Sequence, residues 1–212
     1  MTGWSWAFLG AAAVLAAGDW AAVARGSRRL EYACKPGTLL LLIAVAEAVD
    51  PASGAERAWF VAALGLSLAG DVLLMLPVDL FTGGLASFLL AHIAYVAGFR
   101  ARGSSLVALA VAFVAVAALA IVPAARIITA LRRSNHGDMV APVAAYIAVI
   151  SVMGASAIAS GSALAGAGAT LFMVSDTLIA WDRFVRRFRG ARLAVIVTYH
   201  VGQAGLVVSL VR

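Results

Sequence analysis

Apolar runs of about eighteen residues or more recur along the whole chain, each closed by a short polar, glycine or proline break. At 1.5 Å per residue such a run crosses a hydrocarbon slab of ~30 Å as a helix. The pattern predicts eight helices, at roughly 4–24, 31–49, 58–76, 83–100, 104–124, 139–159, 162–182 and 191–211. Pro51 and Gly54, Pro77, Gly83 and Gly84, Gly103, Gly161 and Gly190 mark the joints. The fifth joint, 125–138, is the long one, and its "ARIITALRRSNHGD" reads as a short interfacial helix. The ten-residue alternation of a membrane barrel is missing from the sequence. The chain is therefore read as an all-α integral membrane protein with eight transmembrane helices, a single polytopic domain over 1–212.

Composition agrees. Of 212 residues, 64% are apolar and 12% charged, where a soluble domain carries about 25% charge. The net charge of +6 would suggest nucleic acid in a soluble protein. Here most arginines fall in short joints, where they set topology and meet anionic lipid. Nucleic acid is not an expected partner. Twelve of the sixteen basic residues lie at the joints after the first, fifth and seventh helices; Arg57, Arg100, Arg102 and Arg212 lie opposite. The positive-inside rule puts the first set in the cytoplasm and both termini outside it, as a multi-pass protein of the plasma (inner) membrane. Trp4, Trp6, Trp20, Trp59 and Trp181 fall near helix ends, as an interfacial belt does. "MTGWSWAFLG" has no basic segment before its apolar run and reads as the start of the first spanning helix. The one cysteine, Cys34, excludes an intrachain disulfide and a thiolate metal site.

The halves 1–103 and 104–212 are candidates for two parallel four-helix repeats. Pro36 precedes Asp71 by 35 residues and Pro142 precedes Asp176 by 34; His92 and His200 follow the aspartates by 21 and 24. Four helices per half is an even number, so the copies would run the same way through the membrane.

Two acidic residues stand out against this background. "LSLAGDVLLMLP" carries Asp71 and "MVSDTLIAWDRF" carries Asp176, each deep in an apolar helix. Counted from the same membrane face, they lie ~20 and ~21 Å in, at one level. Each costs ~3 kcal/mol at mid-membrane even on the insertion scale, so both are expected to face the bundle interior. Ser67 lies one turn above Asp71. Phe88, His92, Tyr95 and Phe99 form one stripe of the fourth helix. Tyr146, Ser175, the pair Tyr199 and Gln203, and Lys35 reach similar depths and complete the candidate site. Asp19, Glu47 and Asp182 lie near helix ends, where a solvated charge is ordinary. Gly65, Gly70, Gly166 and Gly168 are read as close-packing positions.

Two carboxyls in a dry site can share one proton and divide into an acid and a base. That pair suits a hydrolysis needing protonation first and water second. The sequence has no GxSxG elbow, no HExxH and no metal-spaced Cys/His cluster. Proton-coupled transport also uses intramembrane carboxyls, and a lipid-binding protein without chemistry is the third class.

The residues resemble the lysoplasmalogenase (YhhN-like) family. The resemblance rests on "KP" at 35–36, "GLSLAGDVLLMLP" at 65–77, "FTGGLASFLLAHIAYVAGF" at 81–99, "PVAAY" at 142–146 and Met153. The second half adds "GATLFMVSDTLIAWDRF" at 168–184 and "TYHVGQ" at 198–203. Asp182 and His200 depart from the family pattern. The resemblance implies an eight-helix enzyme that hydrolyses the vinyl ether bond of lysoplasmalogens, with a lysophospholipid as partner and no cofactor. The residues themselves point to Asp71 and Asp176 as the acid–base pair, without dividing the two roles between them. A single-chain lipid would enter from the inner leaflet with its headgroup near Lys35 and the inner arginines.

Overall fold

A computed structural model describes residues 1–211 and contains eight long helices. They are α1 (Gly3–Arg25), α2 (Arg28–Ala48), α3 (Gly54–Met75), α4 (Phe81–Arg102), α5 (Leu106–Arg133), α6 (Val140–Ala159), α7 (Ala163–Ala180) and α8 (Ala191–Val208). Among the described residues there is no strand beyond the single bridge Pro51–Val211. Arg212, counted above with the smaller basic set, lies outside the described residues.

The odd-numbered helices all start at one end of the bundle under a hydroxyl cap. Thr2, Ser53, Ser105 and Ser162 accept from backbone N–H groups of the first turns of α1, α3, α5 and α7. Each cap satisfies a donor the helix leaves open and contributes about 1 kcal/mol. At the same end the buried Glu56 pairs with Arg102 at 3.0 Å, and Arg102 donates to the Ser209 carbonyl. The other end holds the arginine-rich joints. There Arg192 meets both oxygens of Glu31 at 2.8 Å, and Arg183 meets Asp79 at 2.8 Å.

Consecutive helices pack as hairpins. α2 packs on α3, α4 on α6, α6 on α7, and α8 returns to α1 and α2. Seven helices thus close a ring from which α5 is left out, resting on α6 and on the turn after α7. Leu119, Ile121 and Val122 of α5 are exposed, as lipid-facing residues are. α7 and α8 touch backbone to backbone. A Cβ on Gly168 would lie 2.8 Å from the Gly202 carbonyl oxygen, and one on Gly202 would lie 2.9 Å from that of Gly168. Gly70 likewise leaves room for the Phe88 ring, which a Cβ would meet at 2.7 Å. Gly65 and Gly166 have space or ordinary contacts around them, so close packing does not explain them.

Seven helices are long and apolar enough to span a membrane. The eighth, α2, has the length but carries Arg28, Arg29, Glu31, Lys35 and Glu47. Lys35 is paired inside the protein with Asp71, and Glu31, in the first turn, meets the exposed Arg192 at the helix end. α5 also departs from expectation. It runs unbroken to Arg133, through the predicted joint and past Pro123. Ile127 and Leu131, four apart, are buried against Val143 and the residues after α7. Arg126 is exposed in mid-helix, and the end of α5 comes at Arg132 and Arg133, which form its last turn.

Candidate active site

Two acidic clusters lie inside the ring. In the first, Asp71 of α3 is 1% exposed. Lys35 Nζ of α2 is 2.9 Å from its Oδ1, and Tyr199 of α8 donates to its Oδ2 at 2.7 Å. Each carboxylate oxygen has a donor and the charge is cancelled on the spot, as burial of an ion demands.

In the second cluster, Asp176 of α7 accepts from the Tyr146 hydroxyl of α6 at 2.5 Å. His92 Nε2 of α4 is 3.0 Å from the same oxygen, Oδ2, and 2.9 Å from the Tyr146 hydroxyl. The three groups form a triangle drawn from three helices. The Asp176 side chain is 10% exposed against 2% for Asp71.

That difference follows from a cleft. Residues of α3 to α7 line a narrow, half-open cleft with a free volume of about 80 Å³. Its walls are almost wholly apolar, with Leu74, Phe81, Phe88, Ile127, Ile150 and Met173 among them. Asp176 and Tyr146 are in the wall; Lys35, Asp71 and Tyr199 are not. An aromatic partition separates the clusters. Phe172, one turn before Asp176, lies 4.7 Å from the His92 ring and 5.3 Å from the Tyr199 ring, and Phe88 lies 5.9 Å from Tyr199.

The remaining candidates divide. Tyr95 donates to Gln203 Oε1 at 2.6 Å, tying α4 to α8 beside Phe172. Ser175 donates to the Val195 carbonyl, tying α7 to α8. Ser67 is buried with its hydroxyl unpaired. Lys35, expected near a lipid headgroup, is held by Asp71.

Two residues escaped the sequence reading. Asp19, read as a solvated helix-end charge, is fully buried, and neither oxygen has a hydrogen-bond partner. His200 Nε2 stands 4.0 Å away, beyond hydrogen-bond reach, while Trp20 donates to His200 Nδ1 at 3.2 Å. The signal was present: Ser5, Ala12, Ala16, Asp19 and Ala22 form one stripe of small residues, the buried face of α1. Phe172 is the other, and its spacing of four from Asp176 put it on the same face.

At the arginine-rich end the cleft is closed by Phe81 and Phe184, edge to face at 5.6 Å. α7 passes there into a π-turn, Trp181–Val185, a distortion that recurs at functional sites. Arg183 on this turn lies 4.0 Å from the centroid of the Phe81 ring. Its hydrogen bond holds the exposed Asp79 carboxyl below the ordinary carboxylate range.

Fold and site together define a polytopic helical membrane protein whose interior carries two acid clusters, one of them open to an apolar cleft. The chain belongs to the YhhN family, whose model matches residues 30–210. It is 34% identical over 152 residues to Lysoplasmalogenase TMEM86B of Homo sapiens, covering 71% of this chain and 62% of that protein. It is 33% identical over 180 residues to Lysoplasmalogenase TMEM86B of Rattus norvegicus, covering 84% and 71%. Against the Lysoplasmalogenase of Mycobacterium bovis the figures are 30% over 164 residues, 76% and 62%. The chain thus spans slightly under two thirds of the human and mycobacterial relatives. No solved structure matches it.

Proposed function

We propose that this protein hydrolyses the vinyl ether bond of lysoplasmalogens, releasing a fatty aldehyde and glycerophosphocholine or glycerophosphoethanolamine. The observation that carries the reading is the apolar cleft whose one carboxyl among the described wall residues is Asp176, bonded to Tyr146 and His92. Such a cleft accepts an alkyl chain, and its one acid meets the chain where an enol ether would lie. The names of the relatives point to the same substrate.

The chemistry needs a proton and a water. Protonated Asp176 gives its proton to the β-carbon of the vinyl ether, leaving an oxocarbenium ion. The carboxylate so formed is stabilised by Tyr146 and His92 through Oδ2. It then takes a proton from water as water adds to the cation. The hemiacetal collapses to aldehyde and alcohol. Asp71, neutralised by Lys35 behind the aromatic layer, is the electrostatic partner, and its field acts on the cation and on Asp176. The larger basic set faces the cytoplasm in this reading, and the lipid enters from the inner leaflet of the plasma membrane.

The test is aldehyde release from 1-alkenyl-glycerophosphocholine by purified protein in detergent. Release is expected from the wild type and not from Asp176→Asn. Intact lipid after prolonged incubation, with lipid bound, would reassign the protein to lipid binding without chemistry. A carrier likewise releases no aldehyde in detergent.

A further inference from the structure

We infer that Arg183 is the anchor for the phosphodiester of a single-chain lipid, and that Asp79 holds the anchor in reserve until the lipid arrives. The inference rests on the lipid reading above and adds the residue that selects for the headgroup.

Position is the first argument. Arg183 follows Asp176 by seven residues and lies past the end of α7, on the π-turn Trp181–Val185, about 10 Å nearer the arginine-rich end. From the protonated carbon of a 1-alkenyl lipid to its phosphorus there are seven bonds, about 8 Å when extended, since three chain bonds span about 3.5 Å. With a hydrogen bond at each end, one molecule touches both residues. Lys35 offers no such reach, being inside the other cluster and bonded to Asp71.

The second argument is the setting. The guanidinium stacks 4.0 Å from the Phe81 centroid and 5.8 Å from that of Phe184. Both rings line the end of the cleft. A planar guanidinium held over an aromatic face keeps its donor edge free for a bidentate phosphate. Arg187, in the non-helical stretch after the turn, lines with Arg183, Asp79 and Asp182 a polar hollow at this end of the bundle.

The third argument is the present partner. Asp79 Oδ2 accepts from Arg183 at 2.8 Å, yet the Asp79 side chain is 70% exposed. It lies in the non-helical joint between α3 and α4. Such an exposed pair contributes little to stability, and a phosphodiester offers the same charge with better geometry. Binding therefore exchanges one anion for another on a single arginine.

The experiment measures equilibrium binding to the purified full-length protein of two ethers that cannot be hydrolysed, 1-O-alkyl-glycerophosphocholine and 1-O-alkyl-glycerol. No turnover is needed, so this result stands apart from the aldehyde assay, which tests the reaction. Arg183→Ala is expected to lower the preference for the phosphate-bearing ether about tenfold, one charge-assisted hydrogen bond's worth, and Arg183→Lys to recover part of it. Asp79→Asn is expected to raise that preference, because it removes the competitor. The opposite signs are decisive. A simple structural clamp would make both variants fall together, and an unchanged preference in Arg183→Ala would equally overturn the assignment. Excess inorganic phosphate is expected not to displace the lipid; displacement would make this a free-anion site and end the proposal.

Discussion

Tyr146 and Asp176 are joined by a 2.5 Å hydrogen bond across the α6–α7 seam, and both side chains stand in the wall of the apolar cleft. Tyr146 and His92 both address Oδ2, so the triangle stabilises the carboxylate that exists after a proton has left. Asp176→Asn keeps the shape and removes the acid. It is expected to lower kcat by about a thousandfold, within the range for a general acid, with helix content and Tm near the wild type. Tyr146→Phe removes one of two donors and is expected to cost about tenfold to a hundredfold. Single-turnover aldehyde release measures both; near-normal rates in Asp176→Asn would remove this residue from the mechanism.

The Lys35–Asp71 pair gives a prediction about folding. Both charges are largely buried, with side chains 13% and 2% exposed. Removing one leaves the other unpaired, which costs about 3–5 kcal/mol. Lys35→Met and Asp71→Asn are each expected to lower Tm markedly, and the double variant to lie above Lys35→Met. A double variant showing the sum of the two losses would mean that the residues act independently.

The same pair shows how far the sequence could be read. Helix number and order were legible, because apolar runs and breakers report the membrane directly. Both aspartates were legible, since a deep carboxyl in an oily helix has few tolerable uses. Partnership was not. Nothing in the spacing distinguishes the aspartate bound to Lys35 from the one bound to His92, because contacts between helices depend on which neighbours close the ring. The exclusion of α5 from that ring puts the cleft beside α6, and local periodicity carries no information about it. α5 itself was cut short because the arginine-bearing stretch 125–138 reads as a joint. A helix that packs one face on the protein can carry arginine on the other without stopping.

Asp79 yields a prediction about pH. Its carboxyl sits below the ordinary carboxylate range, first because Arg183 donates to it. A depressed value means the pair is formed above the ordinary carboxylate range and lost as pH falls through the lowered value. The competition for Arg183 is therefore expected to be constant between about pH 5 and pH 8. Binding of 1-O-alkyl-glycerophosphocholine should then show no step in that window that Asp79→Asn removes. A step abolished by Asp79→Asn would contradict the stated ion pair.

The α7–α8 contact carries residues of both clusters, Asp176 on one helix and Tyr199 on the other. A side chain on Gly168 must displace the backbone of α8, since its Cβ alone would fall 2.8 Å from both the Gly202 oxygen and the Leu206 nitrogen. Gly168→Val is expected to cost about 1–3 kcal/mol or more and to lower activity with it, by pulling Asp71's hydroxyl partner away from α7. Gly65→Ala serves as the control, because its Cβ meets nothing within 4 Å. Thermal unfolding in detergent measures both, and equal Tm values would show that the two helices can part freely.

The cleft itself can be tested without touching the acids. Ala124 of α5 lines it, and α5 lies outside the ring, so a larger side chain there narrows the channel while the two clusters keep their partners. Ala124→Trp fills part of the space that an alkyl chain would use. Each methylene withdrawn from apolar contact costs about 0.8 kcal/mol, so excluding two of them weakens a long chain by about tenfold. A short chain that never reached Ala124 loses nothing. The expected result is a chain-length profile displaced toward shorter lipids, read as kcat/KM for aldehyde release across a homologous series. Uniform loss at every length would indicate a distorted site, and an unchanged profile would show that the chain leaves the protein by another route.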